Sequence, residues 1–135
     1  MSLRHFEPEG GFTSLQFAVM AFFTMMLFAA IVNMVAMQYQ RGAVRLAVDE
    51  GARRGASVSG VAGDCEALAE SILRGRDSGL LRGSLGDGIE ITCEVRGREM
   101  VATARGSSKW WFGGVPDMTF AVEGRAVVET FGEGP

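Results

Sequence analysis

Between Gly10 and Gln40 the chain carries no charged side chain, and from Phe17 to Met37 it is almost wholly apolar. That run constrains the fold more than any other feature. About 20 apolar helical residues cross the hydrocarbon core of a bilayer, and this run has that length. Its Phe, Met, Leu and Ala residues are acceptable helix formers, and neither Pro nor Gly interrupts it. A secretory signal peptide would show a shorter apolar core of about 7–15 residues behind a basic leader. Here the leader MSLRHFEPEG sets Arg4 against Glu7 and Glu9, so the sequence predicts an uncleaved membrane anchor. Asn33 is the one strongly polar side chain inside the run. It is expected to hydrogen-bond a partner helix, at about 1 kcal/mol; the alternative is a bond to its own helix or to headgroup water.

Orientation draws two opposed signals. Arg4 stands alone before the run, whereas Arg41, Arg45, Arg53 and Arg54 follow it, and the positive-inside rule taken alone would keep the C-terminal part in the cytoplasm. The two cysteines, Cys65 and Cys93, argue for an oxidising compartment, because a small domain gains most from a disulfide. The sequence reading therefore favours an extracytoplasmic C-terminal domain. With 135 residues the chain has room for one small domain beyond the anchor. We divide it into a leader over residues 1–11, a transmembrane and extended helix over 12–58, and an extracytoplasmic α+β domain over 59–135.

Helical spacing persists beyond the anchor. Ala43, Ala47, Gly51 and Gly55 recur every four residues, a stripe of the kind that lets two helix backbones approach closely. Its counterpart is either the protein's own domain or another subunit, and packing against another subunit's helix is the expectation. The opposite side carries Arg45, Asp49 and Arg53, and Glu50 is spaced for an i,i+4 pair with Arg54. A short second helix is expected with Asp64 as its N-cap. Cys65, Leu68, Ala69, Ile72 and Leu73 would form its buried face, with Glu66, Glu70 and Arg74 in water.

Strand patterns begin at Ile89. Ile89, Ile91, Cys93 and Val95 alternate with Glu90, Thr92, Glu94 and Arg96, which reads as a half-buried strand. Gly97-Arg98 fits a two-residue hairpin turn, followed by a strand over 99–105 and a last strand over 118–130, with Gly124 marking a bulge. Cys65 and Cys93 would then both sit where helix meets sheet, and a bridge between them is expected; two buried free thiols are the alternative.

Little here suits catalysis. His5 is the only histidine and lies in the leader, which removes the usual His-dependent catalytic sets and any multi-histidine metal site. We expect no enzyme activity, no cofactor, no metal and no small-molecule substrate, and the short sheet predicts no formed pocket. The net charge of −3 leaves no nucleic-acid footprint. Trp110, Trp111 and Phe112 stand out in a glycine-flanked loop, either as an aromatic cap on the core or as an exposed patch for a partner.

Residues 10–56 resemble TadE-like proteins, pseudopilin-like accessory subunits of tight-adherence pilus systems. The resemblance rests on glycine ahead of the apolar helix, on the helix itself, and on the following AVRLAVDEGARRGA. The elements read above, a long N-terminal transmembrane helix continuing outside the bilayer, a short second helix and a three-stranded antiparallel sheet, make an α+β architecture that fits the pilin-like fold of the family. The resemblance implies cleavage by a prepilin peptidase after Gly11, with Gly10, Gly11, Phe12 and Gln16 as the processing site. Family members carry glutamate where this chain has Gln16, and a neutral amide cannot neutralise a neighbour's free amine. The implied function is a membrane-anchored component of a tight-adherence pilus or related secretion apparatus, whose partners are the membrane, other pilus subunits and the peptidase. A processed minor pilin and a membrane-tethered sensor are the alternatives.

Overall fold

The computed structural model describes residues 10–57, 59–77, 79–109 and 116–129, apart from the side chains of residues 10–12 and 84. The chain is α+β, with a long N-terminal apolar helix, a short second helix and a three-stranded antiparallel sheet in a pilin-like layout. Helix α1 runs over Gly10–Ala56 and α2 over Ala62–Arg74. A 3-10 turn at Gly83–Leu85 precedes strands β1 (Glu90–Arg96), β2 (Glu99–Ser108) and β3 (Met118–Val127), ordered β1-β2-β3.

Two compact units emerge, Met1–Val35 and Ala36–Pro135. In the first, most of the described side chains are those of an apolar helix open to its surroundings, with Leu15, Phe17, Phe22, Phe23, Met25, Phe28 and Ile31 all exposed and Asn33 the buried exception. Thr24 satisfies its hydroxyl within the helix by donating to the Met20 carbonyl at 2.8 Å. The second unit begins at Ala36, well before the break near residue 59 at which the sequence pattern ended the helix. The reason is that the last five turns of α1 are core. Val44, Ala47, Val48 and Ala52 have no exposed surface, and Ala43 and Ala56 have almost none. Full burial of a side chain such as Val44, Val48, Leu73 or Met100 contributes about 1.5–3 kcal/mol, so removing this helix segment would remove a large share of the core.

The register is continuous. Glu90 to Arg96 of β1 pair with Arg105 to Glu99 of β2, and Glu99 to Ser108 of β2 pair with Val127 to Met118 of β3. Between Arg96 and Glu99 the chain reverses in two residues, with φ of 64° at Gly97 and no positive φ at Arg98. This is the glycine-first form of a tight hairpin turn. Strand β2 is longer than the sequence pattern implied, because Gly106, Ser107 and Ser108 find partners in Phe120, Thr119 and Met118.

Four local expectations are corrected. Gly124 is no bulge, since it pairs in register with Ala102. It is glycine because α1 passes over it, and a Cβ there would stand 2.9 Å from the Val48 carbonyl carbon and oxygen. Asp64 is not the N-cap of α2. That position is Val61, and Asp64 sits three residues on, its carboxylate accepting the Val61 N–H at 3.3 Å. Glu50 pairs with Arg53 at 3.7 Å and not with Arg54. Val95 alternates correctly but is 57% exposed. Glu66 of α2 is bonded at Cys93 and Arg74 at Ile89, so α2 runs antiparallel to β1 and starts too late to cover Val95.

Candidate functional site

Among the described residues, the candidate functional surfaces are those that the helices and sheet hold in place. The row Ala43, Ala47, Gly51 and Gly55 is the first. All four are buried within the second compact unit. A Cβ built on Gly51 would lie 2.8 Å from the Cys65 carbonyl oxygen and 3.0 Å from the Ala69 Cβ. One built on Gly55 would lie 2.8 Å from the Cys65 Cβ and 3.0 Å from the Met100 Cε. The row lets α2 and β2 approach the α1 backbone of the same chain. It is not available to a second subunit, which corrects the expectation of intersubunit packing through these four residues.

Cys65 and Cys93 form a disulfide, with their Cα atoms 6.2 Å apart across a separation of 28 residues. Cys65 lies in the first turns of α2 and Cys93 in the middle of β1, and both are buried. Beside the bridge, Glu66 does not face water as its helical position suggested. Its Oε1 accepts the Cys93 backbone N–H at 3.0 Å. Arg74, one turn from the other end of the contact, donates to the Ile89 carbonyl. The bridge is thus flanked by two polar side chains that reach from α2 to the backbone along β1.

Two further bonds fix the loop after α2, and the sequence reading did not anticipate them. The Tyr39 hydroxyl donates to the Leu80 carbonyl at 3.0 Å, and the Gln40 Nε2 donates to the Leu85 carbonyl at 2.9 Å. Gln40 is 2% exposed. The available signal was placement, because both fall within three residues of Met37, where the apolar run ends. Of the three loop leucines, Leu81 enters the core, Leu80 packs against it, and Leu85 remains partly open.

Asn33 is 5% exposed, and its Nδ2 has no hydrogen-bond partner among the described residues. An enclosed amide donor without a partner costs about 1–3 kcal/mol. Gln16 is exposed within α1, and Gly10, Gly11 and Phe12 also belong to that helix. Trp110, Trp111 and Phe112 lie outside the described residues. The solvent face of the sheet carries Glu90, Thr92, Glu94, Arg96, Thr103 and Arg105, a mixed-charge surface over a depression of about 140 Å³. Among the described residues no group of three or more His, Cys, Asp or Glu is placed to hold a metal ion.

Among the described residues, one helix is long and apolar enough to cross a membrane, over Thr13–Ala56 near the N-terminus. No family model, no curated protein and no solved structure matches the chain.

Proposed function

We propose that this chain is a membrane-anchored, pseudopilin-like component of a tight-adherence (type IV-related) pilus or secretion apparatus. It works without catalysis, through contacts between subunits. The observation that carries the reading is the single helix α1, whose apolar first part is exposed while its last turns are the core of an α+β unit. A soluble protein has no use for about 20 exposed apolar residues in a row, whereas a lipid-embedded subunit does. Since the small-residue row is already filled by the chain's own α2 and β2, contact with other subunits falls to the exposed apolar stretch 17–37. An extracytoplasmic position for the domain is supported by the Cys65–Cys93 disulfide.

The test combines processing with partnership. The full chain is co-expressed with the prepilin peptidase and major pilin of the same pilus locus, and its N-terminus is sequenced. Wild type is expected to retain its leader, and Gln16→Glu to be cut after Gly11 in a larger fraction of molecules. Crosslinks from positions in the 17–37 stretch should capture pilus subunits. An intact N-terminus in both forms, together with no pilus subunit among the crosslinked products, would remove the pilus assignment.

A further inference from the structure

The sequence predicts no formed pocket, yet a cavity of about 290 Å³ opens between the end of α2 and the 83–87 turn. Arg74, Arg76 and Arg82 line it, with Asp87 as the one carboxylate and Leu81 among its walls. Arg74 uses one N–H on the Ile89 carbonyl. Arg76, Arg82 and Asp87 have no hydrogen bond from their side chains and no ion pair among the described residues. The charge balance is three guanidinium groups against one carboxylate. A guanidinium presents a planar fork of donors that matches the oxygens of a phosphate. The volume lies at the lower limit of ligand cavities, which run to roughly 300–1,000 Å³, so it suits a compact anion better than a large apolar molecule.

The position of the cavity says where such an anion would come from. Leu80 and Leu85, which bracket Leu81 and Arg82, are bonded through their carbonyls to Tyr39 and Gln40. These are the second and third residues after Met37, the end of the apolar run. At about 1.5 Å per helical residue, Gln40 stands about 5 Å past that end. Each headgroup layer is itself about 5–7 Å thick. Chain connectivity therefore holds the loop at headgroup depth, with Arg41 and Arg45 next along the helix.

We propose that the cleft lined by Arg74, Arg76 and Arg82 binds the phosphate of an anionic lipid headgroup. The proposal rests on reading residues 17–37 as a membrane span. Basic clusters at this depth attract anionic lipid, and a cleft with a formed shape adds a preference for headgroups whose phosphate can enter it. Soluble phosphate shares the chemistry, but the two bonds from Tyr39 and Gln40 keep the cleft where lipid phosphate is most concentrated.

The full-length protein would be reconstituted into phosphatidylcholine vesicles containing a minority of phosphatidylglycerol. After extraction into detergent, native mass spectrometry reads which lipids stay bound. Wild type is expected to retain phosphatidylglycerol preferentially. Each arginine near an anionic surface is worth about fivefold, so Arg76→Gln/Arg82→Gln should weaken retention about 25-fold. Arg96→Gln/Arg98→Gln removes the same charge at the far end of β1 and should leave retention unchanged. Equal loss in both double variants would reduce the effect to net charge and overturn the site. Complete displacement of phosphatidylglycerol by inorganic phosphate at matching concentration would assign the cleft to a soluble anion and overturn the lipid. Alkaline carbonate extraction separates the underlying reading. Release from the vesicles would defeat the anchor and the proposal together, whereas firm insertion without lipid preference would defeat the proposal alone.

Discussion

Gly51 and Gly42 stand on the same helix nine residues apart, and alanine at each should have opposite effects. At Gly42 an added Cβ meets nothing within 4 Å. Gly42→Ala therefore changes only the helix's intrinsic stability, a gain of about 0.5–1 kcal/mol. At Gly51 the same methyl would stand 2.8 Å from the Cys65 carbonyl oxygen and 3.0 Å from the Ala69 Cβ. The first obstacle is backbone, tied through Cys65 to the disulfide, so α2 must shift as a body to relieve it. Overpacking of that kind costs about 1–3 kcal/mol. Set against the propensity gain, Gly51→Ala should destabilise by up to about 2.5 kcal/mol, and because both variants share that gain they should differ by the overpacking cost itself, about 1–3 kcal/mol. In a unit of this size each kcal/mol moves the midpoint by about 4–8 °C. The assay is thermal unfolding of the full-length protein in detergent, followed by near-ultraviolet circular dichroism so that tertiary packing is read and not helix content. Gly51→Leu, with three more carbons, should be worse than Gly51→Ala. A Gly51→Ala protein as stable as Gly42→Ala would refute the close packing of α1 on α2. The small-residue row would then be open to another subunit after all.

The bridge closes a span of 28 residues, so by the loop-entropy relation its loss should lower stability by roughly 3–4 kcal/mol. Alkylation of protein from the cell envelope without prior reduction should leave both Cys65 and Cys93 unmodified, and full modification would contradict the bridge. Glu66→Ala leaves the Cys93 N–H without its acceptor. Hydrogen exchange at that amide should accelerate well beyond its neighbours in β1, with a stability loss of about 1–3 kcal/mol; unchanged protection at Cys93 would show that the bond does not persist in solution.

Much of this fold was legible because its signals are local. Period-two alternation at Ile89, Ile91 and Cys93, the Gly97-Arg98 turn and a cysteine on each facing element needed no knowledge of distant parts. What failed was non-local. The spacing of Ala43, Ala47, Gly51 and Gly55 states that some backbone comes close but not whose, and only the fold shows that it is α2 of the same chain. Val95 and Val101 make the same point on the sheet. Val95 has the right phase and is exposed because α2 starts beyond it. Val101 lies on the opposite face and is 2% exposed, between Glu94 and Arg125 of the neighbouring strands. Long charged side chains can cover such a position with their methylene stems. Gly124 looked like a bulge from sequence because a glycine in a strand signals close approach as readily as irregular pairing.

The polar side chains that α2 lays along β1 have one more effect. A strand at the margin of a sheet offers a row of unpaired amides and carbonyls on which another chain can build. Along this margin Glu66 occupies the Cys93 amide and, just ahead of β1, Arg74 takes the Ile89 carbonyl, and the helix carrying them blocks the approach from Ile89 to Cys93. At the other margin, β3 has no further strand, and among the described residues its outward backbone is bonded only beyond its end, where the Glu129 N–H reaches the Ala56 carbonyl. A sheet with one open margin has a valency of one. It can accept a single added strand and then offers no second margin, so strand addition has nowhere to propagate from one molecule to the next into a fibre.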